Sequence, residues 1–106
     1  MKDDYIIHSM VEMEELDDLR KEIESGIDVE VVHGGLSLLQ HALDVEIAGI
    51  RAGNGSHVDV TALLLSAGAD PFRKVGRENQ SALEMAEEEG HWLAAALFRA
   101  WGQRPA

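Results

Sequence analysis

His41 and Asp44 stand one helical turn apart in HALDVEI, the spacing at which two side chains on one helix face can share a metal ion. No third ligand accompanies them, because Glu46 is expected to point elsewhere on the helix. The pair therefore reads as a surface or interface pair, and no metal is expected. The run EMAEEEG, Glu84 to Gly90, places Glu84, Glu87, Glu88 and Glu89 close together. Such a run is ordinarily a solvated helix face. The chain has no cysteine, no glycine-rich phosphate loop, and no H-E-x-x-H or G-x-S-x-G pattern. Catalysis needs a nucleophile, base or metal held in a concave site. With these absent, the chain is expected not to be an enzyme and to need no cofactor.

The elements that carry these residues must come from a small chain. Its 106 residues are 45% hydrophobic with five aromatics, enough for one modest core built mainly from Leu, Ile, Val, Ala and Met. No apolar run approaches the roughly 20 residues that span a bilayer. Met1 to Tyr5 lack the basic-then-apolar order of a signal peptide, so a cytoplasmic protein with no membrane partner is expected. The net charge is −11 and falls unevenly. Residues 1–50 hold 13 acids and 3 bases, whereas residues 51–106 hold 7 and 6. Phosphates would be repelled, which excludes nucleic acid. A protein with a basic surface is favoured, at an association rate that salt slows.

Two stop signals organise the chain. Gly26 follows LDDLRKEIES and Gly68 follows VDVTALLLSA. Apolar residues recur at helical spacing in both, at Leu16, Leu19 and Ile23, then at Val60, Leu63 and Leu64. A glycine just past the last turn is the left-handed helix cap, and Asp28 or Asp70 follows as a turn former. A second anchor follows each stop. Ser37 and Ser81 stand where an N-cap belongs. Each precedes a leucine by two positions (Leu39, Leu83) and an alanine by five (Ala42, Ala86). YIIHSMVEM fits the same frame, with Ile7, His8 and Met10 in register.

Ser-x-Leu-x-x-Ala, then a helix, then HVDVTALLLSAGADP resembles the ankyrin repeat. Three units are readable, at about residues 4–35, 36–78 and 79–102. The resemblance implies an all-α fold: an ankyrin-repeat solenoid of about three helix–turn–helix units with short projecting β-turn loops. Neither capping serine is followed by the family's proline. The step from Leu39 to Leu83 also exceeds the family period of about 33 by about eleven residues. The excess falls mostly in an insertion at about 44–56. There Ile47 and Ile50 extend the first helix to about Ala52 and GNGS makes the turn. The resemblance gives His8, His57 and His91 structural roles, bonding backbone.

It also implies that the chain binds proteins through its loop tips and the concave face of its first helices. The family's variable positions fall on Ser9, Glu12 and Met13, on His41, Asp44 and Val45, and on Met85, Glu88 and Glu89. The loops add Glu30, Val32 and His33, then Arg73, Lys74 and Arg77. Small size, acidity and this repeat style resemble bacterial ankyrin proteins of the toxin-immunity type. The function implied is a stand-alone inhibitor that blocks a basic partner such as a toxin. An adaptor that binds without inhibiting is the alternative. A homo-oligomer is a third: Trp92, Leu93, Leu97, Phe98 and Trp101 either close the last core or leave an apolar end face for weak dimerisation.

Overall fold

The computed structural model describes residues 4–103. Its elements are α1 (Asp4–Glu12), α2 (Leu16–Glu24), β1 (Val32–His33), β2 (Leu36–Ser37), α3 (Leu38–Arg51), α4 (Asp59–Ser66), α5 (Ala82–Glu89) and α6 (Trp92–Gly102). The fold is mostly helical, with one small departure from an all-α chain. Strands β1 and β2 pair antiparallel, with Val32 opposite Ser37 and His33 opposite Leu36. A single bridge, Val75 to Gln80, repeats that hairpin in the second loop.

Local chemistry sets the boundaries. Ser37 accepts from the Gln40 N–H at 3.1 Å while the Gln40 side chain accepts from the Ser37 N–H at 2.8 Å. Ser81 and Glu84 make the same reciprocal pair, at 3.0 and 2.9 Å. Each box satisfies two N–H groups that a helix start leaves unpaired. Past the other ends, Gly26 and Gly68 take φ of +97° and +103°. Asp28 and Asp70 then each accept from the N–H two residues on, of Glu30 and Phe72. Helix α3 runs to Arg51 with Ala52 as its cap, and Gly53 and Gly55 turn the chain towards α4.

Helices α1, α3 and α5 lie side by side in one row. Helix α2 packs on α1, α4 on α3 and α6 on α5, and α2 touches α4 behind the row. Between the rows lie Ile7, Val11, Leu19, Leu39, Leu43, Leu64 and Phe98, each at most 3% exposed. Phe98 closes the last layer, so it cannot present itself to a second copy. Trp92 does not share that role and stands 67% exposed.

The core also holds one carboxylate. Glu46 is 1% exposed, and both its oxygens lie 2.9 Å from the Thr61 hydroxyl, which donates. His91 Nε2 is 2.8 Å from Oε1. Burial pushes the Glu46 carboxyl above its ordinary range, against the His91 and Thr61 bonds that pull it down. Glu46 points away from His41 and Asp44, into the core, and joins α3 to α4 and to the start of α6.

The loops project from one edge and are tied to the helices and to each other. Gln40 Nε2 donates to the Val75 and Gln80 carbonyls at 3.2 and 2.6 Å. Arg77 N donates to Gly35 O at 2.9 Å. Gly76 has φ +84°, and a Cβ there would press on the Gly35 carbonyl. Leu64→Ala is expected to cost about 2–5 kcal/mol, read by urea titration; a near-neutral result would contradict this core. Gly76→Ala is expected to cost more than about 1 kcal/mol, because it strains φ and forces the two loops apart. An unchanged urea midpoint would show that the loop contact is dispensable.

Candidate partner-binding face

Helices α1, α3 and α5 turn one side to the core and the other to solvent, and the two loops stand beside that outer side. Glu12, Met13, Asp44, Glu88 and Glu89 are exposed there; Ser9, His41, Val45 and Met85 are half-buried among them. In the loops, Val32, His33, Lys74 and Arg77 are exposed, and Glu30 and Arg73 are half-buried.

Two groups of these residues come together. The first joins α1, α3 and the first loop. His8 Nε2 donates to the Val31 carbonyl at 3.1 Å. His8 Nδ1 lies 2.9 Å from His41 Nδ1, and His41 Nε2 lies 2.9 Å from Glu12 Oε1. Both ends of this chain, a carbonyl and a carboxylate, only accept. Three hydrogen bonds therefore need three N–H protons, one more than two neutral imidazoles carry. Burial holds His8 below the ordinary imidazole value, more than its bond to Val31 raises it. Of the two rings, His8 is thus the less favourable place for the extra proton. His33 packs on the His8 ring with centroids 5.6 Å apart, and Tyr5 meets His33 edge-on at 5.8 Å. Together these side chains line a depression of about 180 Å³.

The second group joins the second loop and α5. Lys74 Nζ donates to Glu84 at 3.0 Å and Gln80 Nε2 to Glu88 at 2.6 Å. The Ser81 N–H first, and the Lys74 ammonium second, hold the Glu84 carboxyl below its ordinary range. These residues, with Glu89, line an open depression of about 580 Å³. Arg51 reaches Glu89 at 2.5 Å from the end of α3. Among the described residues, Asp44 pairs with no cation.

The second loop is basic, and two of its three basic side chains are paired with carboxylates. Arg73 Nη2 donates to the Glu30 carbonyl at 2.8 Å, and its Nε lies 3.8 Å from the Glu30 carboxylate. The same carboxylate accepts from Asp70 N at 3.2 Å. Glu30 and Arg73 thus hold loop to loop, and Lys74 is held by Glu84. The Arg77 side chain lies against the bare Cα of Gly35.

His41 does not join Asp44 in a metal clip; it faces α1. Of the three histidines expected to bond backbone, His8 does, while His57 and His91 bond carboxylates. Glu46 was legible in one respect. Leu39, Ala42, Leu43, Glu46 and Ile47 follow the i, i+3, i+4, i+7, i+8 stripe of a buried helix face, and Glu46 falls within it. No family model, no curated protein and no solved structure matches the chain, so a functional reading rests on this geometry.

A fourth proton on the two rings would set two N–H groups against each other across the His8–His41 contact. Because the folded value of His8 is lowered from 6.5, its contribution to stability is complete above about pH 6.5. It is lost as pH falls through the folded value. Urea midpoints of the wild type and His8→Asn at about pH 7.5 and about pH 5.5 check this. The wild type should lose more stability on acidification. Glu46 contributes the opposite slope but is common to both proteins, and parallel losses would remove His8 as the cause.

Proposed function

We propose that this chain is a small ankyrin-type module of three helix–turn–helix units, and that it acts as a stand-alone inhibitor of the immunity type. It seats its acidic face on the basic surface of a partner protein such as a toxin. The solenoid reading is supported by the row of α1, α3 and α5 with helices packed behind it. It is supported also by the two capping boxes at equivalent positions. His8 and Gln40, each just after the first-helix aliphatic, both hold the loop that follows their own helix pair.

One observation carries the binding reading. The three front helices bear Asp4, Glu12, Asp44, Glu46, Glu84, Glu87, Glu88 and Glu89 against Arg51 alone, and all but Glu46 and Glu84 are exposed. Met13, 66% exposed, and the half-buried Met85 lie among them. Methionine offers an adaptable apolar contact between charged ones. A surface of one sign steers an oppositely charged partner and fixes its register.

The exposure of Trp92 and Phe72, 67% and 45%, favours a second reading, self-association through α6 and the second loop.

Affinity capture from the native host, at low and high salt, tests the two readings. A basic protein released by salt, whose activity falls when this chain is added, is the expected result. Asp44→Lys combined with Glu88→Lys should weaken that complex at least tenfold, about 1.4 kcal/mol. Recovery of this chain alone, with a mass above monomer by light scattering that Trp92→Ser returns to monomer, would replace inhibition with self-association.

A further inference from the structure

Away from the front face, three ligand-type side chains meet where the inserted loop enters α4. Glu46 comes from α3, His57 from the loop and Asp59 from the first residue of α4. One ligand atom of each lies within 4.8 Å of the other two, and among the described residues no other such group occurs. We propose that Glu46, His57 and Asp59 form a site for a borderline divalent cation, Zn²⁺ being the closest match, which clamps the inserted loop and the start of α4 onto α3.

The donor set selects the ion. One imidazole nitrogen and two carboxylate oxygens, without thiolate, suit zinc, whereas Mg²⁺ demands a near-ideal octahedron of oxygens. Two carboxylates and a neutral imidazole supply two negative charges for a divalent ion. Ligands about 2.1 Å from a tetrahedral ion stand about 3.4 Å apart. The gap to Glu46 need close by at most about 1.4 Å, and the His57–Asp59 pair must open by about 0.8 Å, shifts within reach of two side chains that are 35% and 55% exposed. His57 Nδ1 and Asp59 Oδ1 are already 2.6 Å apart around a shared proton. The ion takes that proton's place, and the proton leaves to solvent.

The third ligand is built in from behind. Both Glu46 oxygens accept from the Thr61 hydroxyl and Oε1 contacts His91, and all three residues are at most 1% exposed. A ligand carboxylate oriented by buried donors is the outer-shell arrangement that metal sites use. The carboxylates of Asp59, Glu14 and Glu46 all act on His57. The exposed side leaves an entry path and a fourth position for water. The clamp also answers a local deficiency, since Val58 stands at the N-cap of α4 and provides no side-chain cap.

Zn²⁺ titrated into the full chain, followed by calorimetry and thermal unfolding, tests the site. One equivalent should bind and raise Tm, and Mg²⁺ at the same concentration should not. His57→Ala and Asp59→Asn, both at solvent-facing positions, should each lower zinc affinity at least tenfold. His41→Ala should keep it. No saturable binding would overturn the proposal, as would unchanged affinity in the His57 and Asp59 variants. Loss of binding in His41→Ala would also overturn it, by moving the ion to the histidines of the front face.

Discussion

A carboxylate buried among three helices is the constraint on which the rest of this small structure depends. Glu46 cannot be solvated where it sits, so its two oxygens must be met by Thr61 and His91. Leaving a buried charge without its partner costs about 3–5 kcal/mol, a large share of what a chain of this size has to lose. The bonds reach from α3 to α4 and to His91, the residue that caps the start of α6. They therefore fix the spacing of the second and third helix pairs more specifically than aliphatic packing does. The match is not complete, because His91 Nδ1 is buried with no partner among the described residues.

The front of the molecule depends on a related device. His8 in α1 and Gln40 in α3 occupy the same place in their helix pairs, and each reaches out to the loop that follows. His8 takes the carbonyl of Val31; Gln40 takes those of Val75 and Gln80. The loops are then tied to one another by Glu30 with Arg73, and by the close approach of Gly35 and Gly76. A face whose loops are anchored loses less entropy on binding, so more of its contact energy appears as affinity.

Charge on that face is spent unevenly. Glu84, Glu89 and Glu30 are matched by Lys74, Arg51 and Arg73, and Glu87 pairs with Arg99. Exposed pairs of this kind contribute little to stability, but they withdraw charge from a partner. Asp44, at the centre of the row, is left unmatched among the described residues, and Glu12 is bonded by His41 at 2.9 Å. The long-range field stays strongly negative because the net charge is −11. In the proposed complex, steering would come from the whole chain and contact from a few side chains.

The sequence by itself determined everything that rests on neighbours a few residues apart. The serine caps, the glycine stops, the aspartate turns and the length of α3 follow from hydrogen bonds and φ preferences that close within about four residues. The apolar stripe of α3 runs through Glu46, a local signal that it faces inward. Only the tertiary structure decided which residues meet across 29 to 45 positions of chain: Glu12 with His41, Glu30 with Arg73, Glu46 with His91. Those meetings depend on how the helix pairs stack and how far each loop folds back. A side chain's charge and spacing do not reveal whether it faces solvent, a partner or another loop, because long polar side chains settle that choice by competition among acceptors brought together only after packing.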